Sequence, residues 1–160
     1  MFFSLIRVEL ILQDYKCNYY TYFNLHAVSL LKKMRTRILI VDTSTLIIRR
    51  LGELVSESSE IEAVDMSISY SDASKKIQGN PPGIVLLDLA LPANNSIKLL
   101  REIKKENPKI FVIVVSDTPD ERIKNQCERA GADYFFDKYN EFEKIPVAIR
   151  EITSGAEYPL

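Results

Sequence analysis

The segment from Gly83 to Asp88, GIVLLD, constrains this chain more than any other. Its apolar positions are not interrupted by polar ones, so the strand it forms must be covered on both faces. Strands of that kind belong to parallel sheets lying between helices. The run closes at Asp88, and a carboxylate there carries a desolvation cost unless something pairs it, which makes it a candidate site. A turn cap is the plainer account of the same residue, and this stretch leaves the two open. Pro92 ends regular structure, and Asn94, Asn95 and Ser96 offer caps for a following helix.

The same alternation recurs along the chain. Ile38 to Val41 is a short strand ending at Asp42, and Ser44 or Thr45 can cap a helix carrying Leu46, Ile47, Leu51, Leu54 and Val55. Ile61 to Met66 reads as a weaker strand, and Ser71 to Gln78 as a short helix stopped by Gly79-Asn80-Pro81-Pro82. After Asp88 comes a helix with Ile97, Leu100 and Ile103 on one face, ended by Asn107-Pro108. Ile110 to Val115 is strongly strand-like and leads into Ser116. The run Thr118-Pro119-Asp120-Glu121 predicts a helix capped by Thr118, with Gly131 as its stop. Tyr134 to Phe136 is a fifth strand leading to Lys138. Pro146 predicts a turn from Asn140 and regular helix only from about Pro146.

Five strands alternating with helices across short connections mean an α/β fold with right-handed crossovers. The expected architecture is a flavodoxin-like (βα)5 doubly wound parallel sheet of strand order 2-1-3-4-5. Such sheets bind ligands at the carboxyl ends of their strands. Here those ends carry Asp42, Asp88, Ser116 and Lys138: two acids, a hydroxyl and an amine from four separate strands.

Composition narrows the function classes. Net charge is -1 with both signs interspersed, which predicts no nucleic-acid or anionic-membrane partner. Cys17 and Cys127 are far apart, giving neither a disulfide framework nor a zinc site and suiting a reducing, cytoplasmic setting. One histidine, His26, excludes multi-histidine metal sites and a Ser-His-Asp triad. Residues 1–35 differ from the rest. Arg7 and Glu9 interrupt their apolar run before the roughly 18 residues of a membrane span, and no signal-peptide pattern is present. They are read as an N-terminal extension, with Met34 the preferred biological start and a packed accessory helix the alternative. The domain is expected over residues 36–154, with 155–160 a tail.

An aspartate beside a lysine and a divalent cation is a nucleophile for phosphoryl transfer. In RILIVD (37–42), GIVLLDLALP (83–92), FVIVVS (111–116) and AGADYFFDK (130–138), the chain resembles a response-regulator receiver domain of two-component signalling. The resemblance implies that Asp88 accepts a phosphoryl group from a histidine kinase or phosphotransfer protein. It implies that Asp42, Asp88 and the backbone carbonyl of Ala90 hold Mg²⁺, that Lys138 pairs with the phosphoryl group, and that Ser116 and Phe135 are switch residues. Phe135 also fills a core in any such fold, and packing is its preferred reading. Output is expected through a downstream effector protein on the face of the fourth helix, fifth strand and fifth helix, because the chain leaves no room for an output domain.

Three departures from the family pattern qualify this. Thr43 stands where the family places a second acid, and losing a unit charge beside a dication weakens binding by several kcal/mol on the order of Coulomb's law at an effective dielectric near 20. Mg²⁺ affinity is therefore expected to be low, with Thr43 a doubtful ligand. Asp117 follows Ser116 where a small residue is usual; an exposed, solvated carboxylate is the preferred reading over a replacement acid. Tyr139 follows Lys138 in place of proline, so a trans bond is expected. A pseudo-receiver, acting as a phosphorylation-independent interaction module, is the alternative function. A phosphohydrolase of the haloacid-dehalogenase type is disfavoured because Ala90 occupies the place of its second aspartate. A nucleotide-binding glycine loop is missing from DTSTLIIRR, after the first strand.

Overall fold

A computed structural model describes residues 35–56 and 58–154 of the protein. The readings of residues 1–35 as an extension and 155–160 as a tail lie, but for Arg35, outside the described residues. Five parallel strands, β1 (Thr36–Val41), β2 (Ile61–Ser67), β3 (Ile84–Asp88), β4 (Phe111–Ser116) and β5 (Tyr134–Asp137), form one sheet in the order β2-β1-β3-β4-β5. The helices are α1 (Thr45–Ser56), α2 (Tyr70–Gly79), α3 (Asn95–Glu106), α4 (Glu121–Arg129) and α5 (Ile145–Ser154). This is the expected doubly wound fold.

Alternation along the inner strands builds two cores. Leu39, Val41, Val85, Leu87, Val112 and Val114 face one side, against Ala73 and Ile77 of α2, Leu99, Leu100 and Ile103 of α3, and Cys127 of α4. Ile38, Ile40, Ile84, Leu86, Ile113 and Val115 face the other, against Ile48, Leu51 and Val55 of α1 and Ile145, Ala148 and Ile149 of α5. Every residue of β3 is buried, as GIVLLD predicts. Burial of each such aliphatic side chain is worth about 1.5–3 kcal/mol, so the central strand is the best anchored element and its carboxyl end the best fixed point. Gly83 permits the entry to β3: a Cβ there would collide with the side chain of Thr36 on β1.

The helix ends show where local chemistry differs from expectation. The cap of α4 is Asp120, whose Oδ1 accepts the N–H of Ile123 at 2.7 Å, and not Thr118. Pro119 therefore precedes the helix; an aspartate at this position both caps and opposes the positive end of the dipole. Gly131 ends α4 as expected, with φ +100. Before α5, residues Phe142–Lys144 form a 3-10 turn and helix starts at Ile145, so Pro146 sits in the first turn, where its missing N–H costs nothing. The Lys138–Tyr139 bond is trans, as expected.

Candidate functional site

Register brings the four strand-end residues together. Val41 pairs with Leu87, so Asp42 and Asp88 emerge side by side from the sheet. Ser116 pairs with Asp137, so Lys138 follows at the same edge, its backbone N–H bonded to the Ser116 carbonyl at 2.9 Å. Asp42 and Asp88 are each 1% exposed. The Lys138 ammonium lies 2.8 Å from Asp42 Oδ2 and 3.1 Å from Asp88 Oδ1. Asp117 Oδ1 approaches the same ammonium at 3.5 Å, from a side chain 41% exposed. Asp117 is exposed, as expected, and is in addition a third acid facing one base.

Two buried carboxylates against one buried ammonium leave the pocket negative. Burial, and then the neighbouring charge of Asp42, hold the Asp88 carboxyl above the usual carboxylate range, against the opposing pull of Lys138 and of the Ala90 N–H. Burial works against the charge on Lys138 as well, but its contacts with Asp42 and Asp88 outweigh it and its pKa is raised. Asp42 Oδ1 accepts the N–H of Ser44 at 2.7 Å. Asp42 Oδ2 and Asp88 Oδ1 have the Lys138 ammonium as their shared partner and no other among the described residues.

Those two oxygens are the structural test of the metal expectation. Mg²⁺ is bound through one or two carboxylates and keeps several waters, so two buried carboxylates that share a single ammonium fit it. No group of three histidine, cysteine or acidic side chains converges as a metal cage among the described residues. Thr43 is exposed and Asp117 is turned to Lys138, so the donor set is lean. Ala90 meets the Asp88 carboxylate through its N–H.

Ser116 is buried, and its Oγ accepts the N–H of Thr118 at 3.3 Å, within its own loop. Phe135 is half-buried against the core on the α2–α4 side. Ser96 is the residue the sequence reading misplaced. It does not cap α3; it is buried, and its hydroxyl donates to the Asp88 carbonyl at 2.7 Å, fastening the helix to the strand end. The spacing Ser96, Leu99, Leu100, Ile103 along the inward face was the available signal. The loop between Asp88 and α3 also holds Ala93 and Asn94 at φ 58 and 54. Asparagine tolerates this left-handed conformation; alanine adopts it at a cost of roughly 1–2 kcal/mol. Asp137 shapes the other wall by accepting the N–H groups of Tyr139 at 2.8 Å and Asn140 at 3.1 Å.

The model of the response regulator receiver domain matches residues 38–150. The chain belongs to that family. A protein-glutamate methylesterase/protein-glutamine glutaminase of Treponema denticola is 34% identical over 104 residues, 64% of this chain and 28% of the relative. The chain spans about a quarter of the length of the curated relatives it matches. Among solved structures, a CheY-like receiver domain protein of Methanospirillum hungatei aligns at TM-score 0.68 with 24% identity, over 74% of this chain and 94% of that one. A BeF3-activated DrrB receiver domain aligns at TM-score 0.68 with 21% identity, over 76% of this chain and 99% of that one. These likenesses concern the fold. Receiver domains serve phosphorelay signal transduction, and the family places this chain in that class. No helix among the described residues is long and apolar enough to cross a membrane.

Proposed function

We propose that Asp88 is the phosphoacceptor of this receiver domain and takes its phosphoryl group from a sensor histidine kinase or a phosphotransfer protein. The observation that supports this most is the single ammonium of Lys138 held between Asp42 and Asp88 at the carboxyl edge of the sheet. A carboxylate oxygen of Asp88 attacks phosphorus, the phosphorus–nitrogen bond of the donor histidine breaks, and the electron pair returns to the imidazole. Lys138 then pairs with phosphoryl oxygens in place of part of its contact with Asp88. The Ser116 hydroxyl, which accepts from Thr118, keeps its own proton to donate to the new group.

Asp42, Asp88 and the Ala90 carbonyl would hold Mg²⁺, whose charge would neutralise phosphoryl oxygens. With Thr43 at the second acid's place, its affinity is low. We read the receiver domain itself as a signalling module and not as an enzyme. Its effector docks on the α4, β5 and α5 face, which changes conformation with the state of Asp88.

Intact-mass measurement after exposure to a small phosphodonor tests the reading. A Mg²⁺-dependent gain of one phosphoryl group in the wild type, absent in Asp88→Asn, is expected. No adduct at any metal concentration would instead make the chain a phosphorylation-independent interaction module.

A further inference from the structure

Beside the acidic pocket runs a cleft of about 750 Å³ between α3 and α4, entered past Ala90, Ser116 and Asp117. A second recess of about 430 Å³ shares Arg101, Arg122 and Gln126 with it and adds Asn125 and Arg129. Arg122, Asn125, Gln126 and Arg129 follow one another at helical spacing on α4, and Arg101 faces them from α3. No carboxylate lines this recess among the described residues. None of its three arginines takes part in an ion pair or side-chain hydrogen bond there. The acids of the adjoining cleft are already engaged: Glu102 accepts the Tyr70 hydroxyl at 2.6 Å, and Asp117 faces Lys138.

Three arginines line this recess without a counter-ion among the described residues, so their like charges repel, and an anion bridging the two helices reverses the sign. Guanidinium forks match the paired oxygens of phosphate groups, and the two amides add neutral donors beside them. The recess draws on two helices and is of small-ligand size, which suits a compact polyanion better than an extended acidic segment. Leu89, Ile97 and Ile123 give the connecting cleft an apolar wall for the rest of such a ligand.

We infer that Arg101, Arg122 and Arg129 form a binding site for a polyphosphate-bearing small molecule, with a nucleoside diphosphate as the class that also uses the apolar cleft. The site is separate from Asp88 and does not depend on its phosphorylation. A bound ligand ties α4 to α3 and so bears on the face through which we propose the domain signals.

Calorimetric titration of the full chain with pyrophosphate and with ADP, at low salt and without Mg²⁺, tests the site. Both ligands are expected to bind wild type and Asp88→Asn alike. Arg101→Gln and Arg129→Gln should each weaken binding about tenfold, the loss of one charge-assisted hydrogen bond. Affinity should also fall as salt rises. Tighter binding of ADP than of pyrophosphate supports the nucleotide class; equal binding supports the polyphosphate group as the whole determinant. Absence of binding by both ligands, affinity unchanged in the Arg101→Gln/Arg129→Gln double variant, or binding of an acidic peptide alone would overturn the inference. Since Asp88→Asn retains this site, failure here is distinguishable from failure of the phosphoacceptor reading.

Discussion

The acidic pocket and the arginine recess are two clusters of like charge that border one cleft, and they are built in opposite ways. The pocket buries its acids, at 1% exposure each, and sets a single lysine between them. The recess leaves its arginines exposed and unpaired among the described residues. Burial makes each charge of the pocket expensive and each contact there strong, because little water screens it. Exposure makes the charges of the recess cheap to keep and weak in their effect on folding. Stability should therefore respond to the pocket, and ligand binding alone to the recess.

The sharpest way to break this contrast is to remove the central cation. Lys138→Met leaves two buried carboxylates facing each other, and breaking such a pair costs about 3–5 kcal/mol. Urea denaturation at pH 7 should read that loss, and the same substitution in an Asp88→Asn background should cost clearly less. The pH dependence has a definite sign. The raised pKa of Lys138 means that its contribution is fully present below the unfolded-state lysine pKa and is lost as pH rises through the folded value. Equal losses in both backgrounds would mean that the ammonium supports the fold through something other than its acids.

Ser96→Ala probes the frame of the pocket without touching its charge. The Asp88 carbonyl would lose the buried hydroxyl that donates to it at 2.7 Å, a change worth about 1–3 kcal/mol where the acceptor stays unsatisfied. Chemical denaturation checks this, and a smaller phosphorylation rate should accompany it if Ser96 positions the strand end.

Asp88→Asn should move stability the other way, by about 0.5–2 kcal/mol in favour of folding, as is common when a strained functional group is relieved. Asp88 has a raised pKa in the fold, chiefly from burial. Its ionised form therefore costs stability above that folded pKa, and the cost fades as pH falls through it toward the unfolded value. Melting curves of wild type and variant should diverge at neutral pH and converge in acid. A variant less stable than wild type at pH 7 would mean that the ion pair with Lys138 outweighs desolvation.

How much of each cluster could be read from the sequence follows from how it is assembled. Asp42, Asp88, Ser116 and Lys138 each close an apolar strand run, and parallel topology sends all four strand ends to one edge, so the pocket was legible from spacing alone. Ser96 was not, because a serine among capping residues reads as a cap until the inward face of α3 is traced through Leu99 and Ile103. The cap of α4 was misassigned because Thr118 and Asp120 both have capping chemistry, and only the backbone decides which N–H groups lie in reach. Asp117 follows a strand end, yet nothing in its surroundings announced that it turns toward Lys138. The recess was least visible of all: a net charge of -1 averages over it, and its arginines come from two helices whose facing sides depend on how both pack onto the sheet.

The recess carries the smallest expected effect, and for that reason it tests the contrast most cleanly. Arg101→Gln removes one of three exposed, unpaired charges and takes no ion pair with it. Surface substitutions of that kind change stability by no more than about 0.5 kcal/mol. Relief of repulsion from Arg122 and Arg129 favours the stabilising side of that range, and raising salt should shrink the difference because screening acts on exposed charges first. Denaturation of wild type and Arg101→Gln at low and high salt reads both quantities. A loss well beyond this range would show that Arg101 holds α3 to α4 as part of the fold, and the division between a pocket that stabilises and a recess that only binds would no longer stand.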